Sequence, residues 1–279
     1  MAEQNISPRD FFATESAIAD LGLIACPGAE ELCKLVDGHL VRWAREVGMD
    51  VDTFIIPSDC PRFQSGDAKG LVKASTRGDD LYIFVDPGNY SVTYQLFGYE
   101  NHLSPDEGAM NRNMYYSSVL GCNLGMFYKR RDYSRIVNGR NPIVAHEYLG
   151  ESVEGKDVFI ADDIIASGES MLDIAYELKM RGARNIFTCC TFPLFTAGLE
   201  KFDKAYNDGI IKAVLGTNLT YRKPELLERE WYYDVDVSKY TAYFIAAINH
   251  DKSVSSIIDP MTKIRTLLDK HGIPMGGEQ

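Results

Sequence analysis

The sequence predicts an α/β fold in which a parallel sheet is flanked by helices. Three observations carry that prediction. From residue 143 onward, short apolar runs of strand length alternate with longer runs of helical period, the pattern of adjacent strands whose two faces are covered by helices. Residues 156–172 read as an apolar strand, two adjacent carboxylates, a Ser/Gly turn and the start of a helix. The 279 residues, 45% of them apolar, suffice for one large or two medium domains with a full core.

In chain order, residues 1–20 are mixed and polar, with Pro8 near the start, and are expected to form a loosely held arm. Residues 21–26 make a short apolar strand, which Pro27-Gly28 turns. Leu32, Leu35, Val36, Leu40, Trp43, Ala44 and Val47 then recur at helical spacing, giving an amphipathic helix that Gly48 is placed to end. Strands follow at 53–56 and 81–85. Pro87-Gly88-Asn89 is a turn, and 104–110 leads through a turn into a helix with Tyr115, Tyr116 and Val119. Residues 124–128 read as a strand that runs into Lys129-Arg130-Arg131. The polar 132–142 reads as a mobile loop, and 143–147 as a short strand.

The next strand has Val158-Phe159-Ile160 at its core and is expected to end at Asp162-Asp163. Leu172, Ala175, Leu178 and Met180 line the helix that follows, which stops near Gly182. Further strands are expected at 185–190 and 210–215, the latter closing on Thr217-Asn218, with a helix through Leu199, Phe202 and Tyr206 between them. Apolar helices at 243–248 and 261–268 complete the reading.

Composition excludes several function classes. A net charge of −11 and a pI near 5 argue against a nucleic-acid-binding surface, though not against a local cationic pocket. The six cysteines have no C-x-x-C spacing, so reduced cysteines in a cytoplasmic protein are expected rather than a metal or disulfide framework. Cys189 and Cys190 should face opposite sides of their strand. No run of 18 apolar residues is present and the N-terminus lacks a signal-peptide pattern, so neither a membrane span nor secretion is expected.

The chemistry concentrates between Asp162 and Ser170. A helix N-terminus presents amides without intrahelical acceptors and a partial positive charge, which suits a phosphate. Carboxylates beside it can hold sugar hydroxyls or magnesium. The same residues also fit an ordinary strand–turn–helix in which Ser170 and Asp173 form a capping box. The adjacent aspartates favour function, because like charges side by side repel and need a partner. Lys129-Arg130-Arg131, three cations in an acidic chain, fit either a solvated basic loop or a phosphate clamp.

Read together, these stretches resemble the ribose-phosphate pyrophosphokinases, most closely the longer bacterial forms. Asp162 to Ser170 is similar to the family's ribose 5-phosphate loop, and Lys129-Arg130-Arg131 to the start of its flexible catalytic loop. Ser104-Pro105-Asp106-Glu107-Gly108 is similar to a segment whose aspartate is linked with magnesium. Arg62-Phe63-Gln64-Ser65-Gly66-Asp67 resembles the segment that a neighbouring subunit offers to adenine. Thr191-Phe192-Pro193-Leu194-Phe195-Thr196 and Ser253-Val254-Ser255-Ser256-Ile257-Ile258 are weaker echoes in family order.

The resemblance implies a phosphoribosyltransferase-type parallel sheet and transfer of pyrophosphate from ATP to ribose 5-phosphate, giving phosphoribosyl pyrophosphate and AMP with Mg2+ as cofactor. It implies ribose 5-phosphate binding by Asp162, Asp163, Ala166, Ser167, Gly168, Glu169 and Ser170, and catalytic charge neutralisation by Lys129 and Arg131. It further implies ATP contacts from Phe63, Ser65 and Asp67, a metal ligand in Asp106, and a homo-oligomer. The chain departs from the family in three places. Ala166 stands where an acidic residue is usual, and Glu169 where the shorter enzymes have glycine. A histidine-bearing metal and ATP segment also has no counterpart, as though a stretch between Leu103 and Ser104 had been removed.

The expected organisation is therefore an arm (1–20), a shortened N-terminal α/β domain (21–103) and a complete C-terminal domain (104–279). Two other functions are compatible with the residues. One is a non-catalytic ribose-phosphate-binding relative that co-assembles with a full-length homologue, and the other is a phosphoribosyltransferase using the same loop.

Overall fold

The computed structural model describes residues 11–13, 17–61, 63, 67–86, 95–96, 99–100, 122–123, 125–131, 143–255 and 261–272. The reading of 104–121, the loop at 132–142 and the Leu103–Ser104 join lie outside these residues.

In the N-terminal part, β1 (Leu21–Ala25) leads into helix α1 (Glu30–Glu46). A short antiparallel pair follows, β2 (Ser58–Asp59) with β3 (Leu71–Val72). Strand β4 (Asp80–Phe84) then returns to lie parallel to β1. The strand expected at 53–56 is reduced to one parallel bridge, Leu23 to Ile55. The cause is Asp37 of α1, which accepts the Phe54 N–H at 2.7 Å and the Thr53 hydroxyl at 2.8 Å. The chain then leaves β1, and Ser58–Asp59 pair with β3 instead.

Helix α1 buries Cys33, Val36, Leu40, Trp43 and Ala44. They pack on β1 and on Ala242, Ile245, Ala246 and Ala247 from the far end of the chain. The other face of β4 stays open, with Ile83 61% and Val85 60% exposed. The described part of the arm is docked, contrary to the sequence expectation. Residues 11–13 are helical, Phe11 is buried in the same cluster, and the Phe12 ring meets His250 edge-on with centroids 5.1 Å apart.

Two antiparallel ribbons come next: β5 (Gln95–Leu96) with β6 (Tyr99–Glu100), and β7 (Met126–Arg131) with β8 (Ile143–Leu149). Strand β7 is longer than expected and includes Lys129, Arg130 and Arg131, with an irregularity between the two arginines. Tyr148 anchors the base of this ribbon. Its ring fills the space beside Gly125 and lies under the Arg181 guanidinium at 5.5 Å.

The C-terminal part is an all-parallel sheet built in chain order. Strand β9 (Asp157–Ile165) feeds α2 (Glu169–Met180), and β10 (Asn185–Pro193) feeds α3 (Glu200–Asn207). Strand β11 (Ala213–Thr217), the short helix α4 (Pro224–Leu227) and β12 (Tyr232–Val235) follow. The spatial order is β12-β11-β10-β9. Strand β12 was not foreseen, because it is only four residues long, with three of them exposed and one of those acidic, and lacks the apolar run that marks its neighbours. The last helices are α5 (Ser238–Asn249) and α6 (Met261–Lys270).

One sheet face packs on α2 and α3. Ile186, Cys190 and Val214 join Leu172, Ala175, Leu178 and Phe202 in a single buried cluster. Cys190 is buried and Cys189 is not, as the strand alternation requires. Helix α5 leaves this sheet and covers α1, where Tyr243 sits 5.0 Å from Trp43. The N-terminal module thus obtains its missing cover from the C-terminal end of the chain. Among the described residues no helix is long and apolar enough to cross a membrane.

Candidate functional site

The site forms where β9 hands over to α2. The strand runs two residues past Asp163, where the sequence suggested its end, so Asp162 and Asp163 lie within it. Successive side chains in a strand point to opposite faces. The register Asp162 to Cys190 places Asp162 on the face covered by α2, where burial and then the neighbouring charges of Cys189 and Asp162 push the Cys190 thiol up. Asp163 falls on the opposite face. The two carboxylates are therefore separated by the sheet, and the repulsion expected from their adjacency is relieved by the pleat. A further contact fixes the first of them, since the Asp163 N–H donates to its Oδ1 at 2.8 Å.

Residues 166–168 make the turn into α2. Gly168 is left-handed at φ +76, and a Cβ there would press into the Phe202 ring. The expected capping box is absent, because the helix begins at Glu169 with Gly168 as its N-cap and no side-chain cap. The first intrahelical bond runs from the Leu172 N–H to the Gly168 carbonyl at 3.0 Å, so the amides before it face away from the helix toward its mouth. The Ser167 hydroxyl accepts from the Glu169 N–H at 3.4 Å.

Glu169 does not point at this mouth. Lys201 of α3 donates to its carboxylate at 2.5 Å and holds the carboxyl below its usual range. Lys201 escaped the sequence reading, because nothing in the spacing ties it to a residue 32 positions earlier. On the far side, the N–H groups of Leu194 and Phe195 donate to the Ile165 carbonyl and that of Thr196 to the Ala166 carbonyl. The loop after β10 therefore pins the loop after β9. The Thr217 hydroxyl donates to the Thr191 carbonyl at 2.6 Å, adding the end of β11 to the same edge.

A second set of contacts joins this edge to the N-terminal module. Asp86, which follows β4, accepts from the Thr220 hydroxyl at 2.9 Å. Arg222, its side chain 3% exposed, donates to both oxygens of Asp234 at 2.8 and 3.3 Å and to Glu31 of α1 at 3.4 Å. A small hollow bounded by Gly28, Asp86, Thr220 and Arg222 opens between the two parts. A larger hollow, bordered by Arg184, Tyr206 and Lys212, lies at the N-terminal edge of the sheet, away from the helix mouth. Its Arg184 is already committed to Asp157 by two hydrogen bonds of 2.8 and 2.6 Å.

The other candidate residues are placed as follows. Lys129 and Arg131 stand on β7 opposite His146 and Ile143. Phe63, in the N-terminal part, is exposed and its N–H donates to the Asp67 carbonyl at 2.8 Å. Ser65 and Asp106 lie outside the described residues. Among the described residues no three His, Cys, Asp or Glu side chains converge on a metal position. A magnesium ion held by one carboxylate, phosphate oxygens and water suits the oxygen donors of Asp162 or Asp163.

The model of the phosphoribosyl transferase domain matches residues 103–247, which include the β7–β8 ribbon and the whole four-stranded sheet. Similar curated proteins include the ribose-phosphate pyrophosphokinases of Pyrococcus abyssi and Wolinella succinogenes. The first is 33% identical over 119 residues, 42% of this chain and 39% of that protein. The second is 28% identical over 174 residues, 60% of this chain and 52% of that protein. The chain thus spans about two-fifths to a half of these relatives. Phosphoribosylpyrophosphate synthetase from Mycobacterium smegmatis has a similar fold, with a TM-score of 0.55 over 83% of this chain and 99% of that one at 12% identity. These likenesses agree with the resemblance read from the motifs and with a phosphoribosyltransferase-type α/β fold.

Proposed function

Because the chain belongs to the phosphoribosyl transferase domain family, we propose that it is a ribose-phosphate pyrophosphokinase. The reaction joins ATP and ribose 5-phosphate. The C1 hydroxyl attacks the β-phosphorus of ATP, the bond from that phosphorus to the α-phosphate oxygen breaks, and AMP leaves. The observation that carries this reading is the turn at 166–168, which delivers the N-terminus of α2 to the C-terminal edge of a parallel sheet a few residues after two aspartates.

The backbone from Ala166 to Ser170 would cradle the 5-phosphate. Asp162 and Asp163 would reach ribose hydroxyls from the two faces of β9, one of them also meeting Mg2+, which neutralises phosphate charge when bound. Phosphoryl transfer needs positioning and charge neutralisation more than a nucleophile from the protein, and Lys129 and Arg131 are the cations assigned to it. Phe63, Ser65 and Asp67 would meet adenine across a subunit boundary, which requires a homo-oligomer, and Asp106 would add a metal ligand. Glu169, held by Lys201, stays clear of the phosphate.

The test is chromatographic measurement of AMP after incubating the purified chain with ATP, Mg2+ and ribose 5-phosphate. AMP formation that requires the sugar phosphate and falls at least roughly 100-fold in Lys129→Ala, the scale of losing one charge-stabilising donor, is the expected result. ADP as the product, or no turnover, contradicts the assignment. The family match itself favours one second reading, a phosphoribosyltransferase, which would release pyrophosphate from phosphoribosyl pyrophosphate only when a nucleobase is present.

A further inference from the structure

We propose that Phe195 is a positioning residue for the phosphate cradle, holding residues 166–168 in their ligand-binding form from outside the cradle. This rests on reading that loop as a ribose 5-phosphate site. Phe195 has φ +47, one of two non-glycine residues with positive φ among those described. A bulky side chain seldom adopts the left-handed region unless its surroundings over-determine it, and such residues cluster where a site must be pre-formed.

Here the surroundings do over-determine it. The Leu194 and Phe195 amides both donate to the Ile165 carbonyl at 3.0 Å, and the Thr196 amide donates to the Ala166 carbonyl at 2.9 Å. Three consecutive donors thus grip two consecutive carbonyls of the loop. Three donors can converge in this way because the chain reverses sharply at Phe195. Its ring points inward, only 2% exposed, and meets Phe202 edge-on with centroids 4.9 Å apart at 81°.

Phe202 occupies the space beneath Gly168 that a Cβ would need. Trp231 stacks behind Phe202 at 5.6 Å and is itself fixed by an Nε1–H donation to Asp203 at 2.8 Å. The loop is therefore held at its side by a backbone grip and from below by an aromatic platform, and Phe195 belongs to both. A cradle fixed before the ligand arrives loses little conformational freedom on binding.

The experiment compares Phe195→Gly and Phe195→Val in the full chain. Glycine accepts a positive φ but discards the ring, whereas valine keeps apolar bulk and disfavours that backbone. Positioning predicts that Phe195→Val weakens ribose 5-phosphate binding by roughly tenfold or more, and more than Phe195→Gly, with ATP affinity kept within about twofold. A purely packing role predicts the reverse order, with glycine the worse variant in melting temperature and in ligand binding alike.

Hydrogen exchange supplies a readout independent of any ligand: the Leu194 and Thr196 amides should lose protection in Phe195→Val and keep it in Phe195→Gly. Ribose 5-phosphate affinity in Phe195→Val within twofold of the parent, with those amides still protected, overturns the proposal. If the parent chain itself binds no ribose 5-phosphate, the substrate reading fails instead. The exchange result then decides the positioning role by itself, unchanged protection in Phe195→Val overturning it.

Discussion

Gly168→Ala tests the geometry of the cradle most sharply. Two costs add. The residue sits at φ +76, and an L-residue held in that region pays about 1–2 kcal/mol relative to glycine. The new Cβ would also lie 2.5 Å from Phe202 Cζ and nearer still to Cε2. Carbon atoms pack at about 3.5–4 Å, so the ring or the loop must shift by roughly 1 Å, and overpacking of that kind costs about 1–3 kcal/mol. Together these give about 2–5 kcal/mol of lost stability. Denaturant unfolding followed by circular dichroism measures it. The double variant Gly168→Ala/Phe202→Leu separates the two costs, because trimming the ring removes the clash and leaves the backbone penalty. A coupling of at least about 1 kcal/mol between the substitutions is expected. Stability of Gly168→Ala within about 0.5 kcal/mol of the parent, or strict additivity with Phe202→Leu, would refute the reasoning.

Further predictions concern the charges around the site. Arg222→Ala leaves Asp234, itself one-third exposed, without its bidentate partner and cuts the tie to α1, so denaturant unfolding should show a loss of about 2–4 kcal/mol. A loss below about 1 kcal/mol contradicts that. Glu169→Gln removes a negative charge near the mouth of α2 and releases Lys201. Affinity for inorganic phosphate should rise about two- to fivefold at low salt, and the gain should fade at high salt; weaker phosphate binding in calorimetry counts against the geometry. Hydrogen bonds from Arg184 and then Asn185 hold the Asp157 carboxyl down to about 2, against an ordinary 3.8. A depressed carboxylate contributes stability above its unfolded pKa that is lost as pH falls through the folded value. The melting temperature of the parent should therefore decline more steeply between about pH 4 and pH 2 than that of Asp157→Asn, and parallel curves would remove this pair from the acid response.

How far the sequence carried depended on how local each signal was. Helix α1 and strands β9, β10 and β11 were legible because their periodicity or apolar runs are intrinsic to the segment. The strand–turn–helix at 156–172 was legible for the same reason. What the sequence hid was set by partners distant along the chain. The strand at 53–56 dissolves because Asp37 competes for its donors. The capping box fails because Gly168, not a serine, takes the N-cap. Pairing of Glu169 with Lys201, and the left-handed turn at Phe195 against Phe202, depend on how α3 packs against α2. The two aspartates were read as a repelling pair, since adjacency in sequence is conspicuous while the alternation that separates them appears only once β9 extends past both. Lys129 and Arg131 looked like the start of a loop because three cations interrupt an apolar run, yet β-pairing with β8 carries the strand through them.

The helix mouth after β9 is the proposed seat of the sugar phosphate. Backbone amide shifts of isotopically labelled chain, recorded while ribose 5-phosphate is added, test it most directly. The largest changes are predicted at Ala166, Ser167, Gly168, Glu169 and Ser170, saturating together, with Arg184 and Lys212 at the opposite edge of the sheet unmoved. Shifts centred on Arg184 and Lys212, or none at saturating sugar phosphate, would contradict it.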